Sequence, residues 1–135
     1  MNNNYNEKII LLNAGYGNDS EIYVEDTFTT GESQLIPSID GIRIKIFSLE
    51  TLLDKYNIDS AMLKMDCEGC ESNLLNESND TLRKFKRIEM EYHYGYEKLK
   101  KGLEEAGFKV RYTKQVLATN NQNMPMGIGN IYMQN

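Results

Sequence analysis

The chain contains no tryptophan, one histidine (His93), two prolines and two cysteines among its 135 residues. Two cysteines and one histidine fall short of the four ligands that a closed structural zinc site takes. Long apolar runs are missing as well. The longest is Ile9 to Leu12, whereas a helix needs about 20 apolar residues to cross a bilayer. Met1-Asn2-Asn3-Asn4-Tyr5 is polar and uncharged where a secretion signal is basic and then apolar. No membrane partner and a cytoplasmic location are therefore expected. Cations are scarce too: 15 Lys and Arg stand against 20 Asp and Glu, for a net charge of −5, without a basic stripe. A phosphate backbone is bound chiefly by cations that displace its counterions, so nucleic acid is excluded as a partner.

What remains is the composition of an ordinary globular domain, 40% hydrophobic and 26% charged. At this length it predicts one domain over 1–135 rather than two. No repeat is visible, and the Asn-rich stretches Asn2 to Asn6 and Thr119 to Asn123 read as frayed or looped.

Ile9 to Leu12 reads as a strand closed by a turn over Asn13 to Asp19, with a brief strand at Ile22 to Val24. Ile42, Ile44 and Ile46 alternate with Arg43, Lys45 and Phe47, the period of a half-buried strand. Ser48 then caps a helix bearing Leu49, Leu52, Leu53 and Tyr56. Ala61 to Met65 is short and nearly all apolar, which predicts a central strand covered on both faces. Short helices are expected after Gly69 and over Thr81 to Phe85, and a strand over Arg87 to Glu91. Tyr96, Leu99, Leu103 and Ala106 recur at helical spacing, and Gly107 stops that helix. Phe108 to Tyr112 and Gly127 to Met133 complete the strands. Strands alternating with helices predict an α/β fold with a mainly parallel sheet and helices on both faces, its ligand site at the carboxyl ends of the strands.

Two such strand ends carry the chemistry. Asp66-Cys67-Glu68-Gly69-Cys70-Glu71 directly follows the apolar strand. Three carboxylates this close repel one another unless a cation, a helix N-terminus or water compensates, which suggests a metal, a cationic ligand or proton transfer. The plainer reading is that Glu68 and Glu71 open a helix, where acids suit the dipole. Asp66, ending an apolar strand, is harder to explain that way. Cys67 and Cys70 have the spacing of a redox pair, but their acidic neighbours would raise both thiol pKa values, so two free thiols in a reducing compartment are expected. The second strand end, Met90-Glu91-Tyr92-His93-Tyr94-Gly95, adds the lone histidine and another acid. Tyr92, Tyr94 and Tyr96 either line a pocket or pack. Gly15-Tyr16-Gly17 is not extended into a nucleotide fingerprint.

Leu63-Lys64-Met65-Asp66-Cys67-Glu68-Gly69-Cys70-Glu71 resembles the Lys-x-Asp-x-Glu-Gly-x-Glu signature of FkbM-type S-adenosylmethionine-dependent methyltransferases. Phe47 to Leu52, Ile88 to His93 and Ala106 to Val110 resemble neighbouring stretches of that family, and Asn13 to Asn18 resembles its Asn-x-Ala-x-Gly turn loosely. The resemblance implies a Rossmann-like class I methyltransferase fold. It also implies methyl transfer from S-adenosylmethionine to an oxygen of a small metabolite or sugar. Asp66, Glu68, Glu91 or His93 would serve as base or hold a divalent metal that acidifies the acceptor hydroxyl; no metal-ligand set is assigned. Asn13, Lys64 and Glu71 are the cofactor-side residues it implies. The family's glycine-rich turn and acid-ended second strand have no counterpart here, so the chain reads as the C-terminal portion of that fold. A homo-oligomer or a separate N-terminal half would then cover an exposed sheet edge. The alternative is a non-catalytic remnant or subunit that binds cofactor only with that separate half.

Overall fold

A computed structural model describes residues 9–25, 37–119 and 125–134. The Asn2 to Asn6 segment lies outside the described residues, as does the Thr119 to Asn123 segment apart from Thr119. The strands are β1 (Ala14–Tyr16), β2 (Ser20–Val24), β3 (Ile42–Phe47), β4 (Ala61–Met65), β5 (Phe85–Tyr92), β6 (Lys109–Tyr112), β7 (Val116–Thr119) and β8 (Pro125–Gln134). The helices are α1 (Leu49–Lys55), α2 (Asn79–Arg83) and α3 (Glu97–Glu105), with a 3₁₀ helix over Cys70–Asn76.

These elements form two mixed sheets. One has the order β1-β3-β2, the other β4-β5-β8-β6 with β7 paired to β8. Only β1–β3 and β4–β5 are parallel; β2–β3, β5–β8, β6–β8 and β7–β8 are antiparallel. The expected mainly parallel, Rossmann-like sheet with helices on both faces is therefore wrong. The reason lies at the C-terminal end: β8 runs back between β5 and β6, so two strands joined through a helix are separated by an antiparallel one. Strand–helix alternation also failed to predict that β3 and β4, on either side of α1, belong to different sheets.

Two local readings change with it. Ile9 to Leu12 is exposed and outside any strand; β1 begins at Ala14, where Ala14, Gly15 and Tyr16 pair with Lys45, Ile46 and Phe47. An apolar run becomes a strand only where a neighbour supplies its hydrogen bonds. β4 is an edge strand rather than a central one: Met65 is buried, while Met62 is 70% exposed and Lys64 lies on the same open face. Other expectations hold. Ser48 caps α1 by accepting a hydrogen bond from the Thr51 N–H, and Gly107 takes a left-handed φ of 102° past α3, which its missing Cβ makes easy.

Leu74, Ile88, Tyr92, Leu103 and Ile131 are at the centre of the core, which also includes Leu49 and Leu53 of α1. Glu77 ties the small sheet to it, accepting from the Leu49 N–H at 2.8 Å and the Tyr16 hydroxyl at 3.2 Å. Burial, with Glu77 beside it, pushes the Tyr16 phenol well above its ordinary pKa.

Candidate functional site

Parallel pairing of β4 with β5, in a register that sets Met65 beside Met90, brings their carboxyl ends together. Asp66 leaves β4 there, Glu91 lies near the end of β5, and His93 follows it. One ligand atom from each of Asp66, Glu91 and His93 falls within 4.8 Å of the others. Asp66 is exposed, Glu91 half-buried and His93 buried, so the group is open on one side and closed on the other.

The loop after β4 builds the closed side. Glu68 and Gly69 both take positive φ, 52° and 117°, turning the chain back toward β5 before the 3₁₀ helix begins. A Cβ at Gly69 would come within 2.7 Å of the Tyr94 ring, so this position needs glycine for space as well as for φ. Glu71, 2% exposed, reaches across: its carboxylate accepts from the Gly69 N–H and from the His93 N–H, each at 2.8 Å. A buried carboxylate is tolerated because both oxygens have donors.

The His93 ring sits between two acids, with Nε2 3.3 Å from Glu68 and Nδ1 3.4 Å from Glu71. The second approach is out of line for a hydrogen bond, and Nδ1 is buried without a hydrogen-bond partner. Among the described residues no lysine or arginine pairs with Asp66, Glu71 or Glu91.

Five of the seven site residues expected from the sequence thus converge: Asp66, Glu68, Glu71, Glu91 and His93. The cofactor-side set does not. Asn13 is exposed ahead of β1 in the other sheet, Lys64 is exposed on β4 opposite Glu89 of β5, and Glu71 spends its carboxylate on backbone N–H groups. No hydrogen bond or ion pair joins Asn13, Lys64 and Glu71 among the described residues.

Sequence reasoning left other features undecided or missed them. Cys67 and Cys70 are joined as a disulfide, not free thiols, so the loop is covalently closed around Glu68 and Gly69. The argument for a reducing compartment loses its footing with them. The tyrosines divide: Tyr92 is core and donates to the Thr113 carbonyl at 3.0 Å, Tyr96 stacks on Tyr112, and Tyr94 lies over Gly69. Next to Glu71 a cleft of about 380 Å³ is lined by Ser72, Leu75, Tyr94, Glu97 and Lys98, within the size range of small-ligand sites. Nothing in the spacing of Ser72 or Lys98 marked them for it. Among the described residues, no helix is long and apolar enough to cross a membrane. Comparison with family models, with curated proteins and with solved structures finds no match to this chain.

Proposed function

We propose that the chain carries the acceptor-side chemistry of an O-methyltransferase, with the cluster at the ends of β4 and β5 taking the proton from a small-molecule hydroxyl. The convergence of Asp66, Glu91 and His93 is the observation that supports it. A hydroxyl becomes a useful nucleophile only as its proton leaves, and a carboxylate or imidazole at hydrogen-bond reach is what accepts it. Asp66, on the open side, is the group an entering acceptor meets first. Glu68 and Glu71 flank the imidazole, 3.3 Å from Nε2 and 3.4 Å from Nδ1, and hold the ring in place at the strand ends. The cleft bordered by Tyr94 and Lys98 would receive the body of the acceptor.

The methyl donor, S-adenosylmethionine, enters this reading only through the resemblance of Lys64 to Glu71 to the FkbM signature. No step is assigned to Asn13, Lys64 or Glu71 as its ligands. A cytoplasmic location belongs to the same reading. So does a partner over the open β4 edge, either a second copy or a separately encoded half.

Titration of the purified chain with S-adenosylhomocysteine tests it. Micromolar binding is the expected result. A folded sample that takes up none at millimolar ligand would sink methyl transfer by this chain alone. That second outcome favours a non-catalytic subunit, a reading supported by the place of Asn13 ahead of β1, whose sheet is not the one that carries the cluster.

A further inference from the structure

The acidic loop is not alone in this site. It meets a buried imidazole whose Nδ1 has no hydrogen-bond partner, and its acids have no lysine or arginine counterion among the described residues at Asp66, Glu71 or Glu91. A buried ring nitrogen without a partner forfeits the hydrogen bond it had in water. Asp66, Glu71 and Glu91 also gather negative charge around that ring, with no lysine or arginine paired to them among the described residues to balance it. A cation bonded to the ring and to carboxylate oxygens answers both at once.

We infer that Asp66, Glu91 and His93 bind a divalent first-row transition ion through two carboxylate oxygens and one imidazole nitrogen. Their ligand atoms already lie within 4.8 Å of one another, so small side-chain rotations suffice. Metal-bound histidines commonly direct their other ring nitrogen at a carboxylate, which fixes the ring. With Glu68 3.3 Å from Nε2 to fix the ring, the unpartnered Nδ1 is the nitrogen left for the ion. Three protein ligands leave coordination positions open, as in catalytic rather than structural sites. They open on the side of exposed Asp66, which also gives the ion an entry path. The imidazole decides the class of metal: oxygen-only sites suit Mg²⁺ and Ca²⁺, whereas a nitrogen donor shifts preference toward first-row transition ions, of which Mn²⁺ binds most weakly and is the paramagnetic probe.

The site uses the side chains of the proposed acceptor centre but does not depend on methyl transfer. The test is a calorimetric titration of the full chain with Mn²⁺ and, separately, Mg²⁺, with no adenosyl ligand present. The expected result is one Mn²⁺ per chain, held roughly tenfold or more tightly than Mg²⁺. Asp66→Asn, at an exposed position, should weaken Mn²⁺ by at least about tenfold while circular dichroism stays unchanged. Because the chain has a single histidine, its imidazole proton resonances are unambiguous. They should broaden at substoichiometric Mn²⁺ in the parent chain and not in Asp66→Asn. Folded parent chain that binds no Mn²⁺ at millimolar concentration would overturn the site, as would unchanged affinity in Asp66→Asn or an unbroadened imidazole. Mn²⁺ binding without S-adenosylhomocysteine binding would retain the metal site and remove the methyl-transfer reading; the reverse would do the opposite.

Discussion

Glu71 shows how a residue's chemistry depends on what its atoms are already doing. From the sequence it resembles a cofactor ligand; in the fold both its oxygens hold backbone N–H groups, one in the loop after β4 and one at the end of β5. It is a buttress that sets the distance between the two strand ends. Glu71→Ala would leave the Gly69 and His93 N–H groups unmet, at a cost of about 1–3 kcal/mol for each that stays buried. Urea unfolding should show that loss as a lower midpoint, and an unchanged midpoint would mean the carboxylate is not a buttress. Gly69 is a second such case. Its glycine is legible in the sequence as part of a signature, but the reason for it, a positive φ beneath the Tyr94 ring, is not.

At the scale of elements, caps and periods were readable because they are set by near neighbours in the chain. Ser48 before Leu49 predicts the start of α1, and Leu99, Leu103 and Gly107 predict the course and end of α3. Asp19 adds a partner that local pattern does not reveal. Its carboxylate accepts from the Thr51 hydroxyl and the Ser48 N–H, and these bonds hold its pKa below the usual aspartate value. A depressed folded pKa means that the stabilisation is complete above the ordinary aspartate range near 3.8 and is lost as pH falls through the lower folded value. Acid unfolding followed by circular dichroism should therefore be shallower in Asp19→Asn than in the parent chain over that acidic window. Identical profiles would show that the Asp19 bonds add nothing to stability.

Across the whole molecule, the small sheet is joined to the core of the larger one through α1 and Tyr16 of β1. Leu49 and Leu53 of α1 pack with residues of β5, α3 and β8, and Glu77 bonds to both Tyr16 and Leu49. Far-ultraviolet and tyrosine signals should therefore unfold in a single coincident transition. Glu77→Ala should lower its midpoint by an amount worth about 1–3 kcal/mol, since the buried Leu49 N–H loses its acceptor. Two separated transitions in the parent chain would show that the sheets are independent.

The linear order of residues was enough to reveal most helices and strands, the acidic strand end at Asp66 and the second one at Glu91 and His93. Each rests on local period, capping or composition, which act over a few residues. The chain alone did not reveal that β8 would insert antiparallel between β5 and β6, that β4 would be an edge with Met62 in the open, or that Cys67 and Cys70 would be joined. Nor did it reveal that Asn13, just ahead of β1, and Lys64 of β4 would fall to different sheets. Those outcomes depend on pairings between distant segments. A strand's neighbours, and hence which side chains meet at its end, are chosen by the hydrogen bonds and buried area of the assembled sheet, not by the strand's own residues.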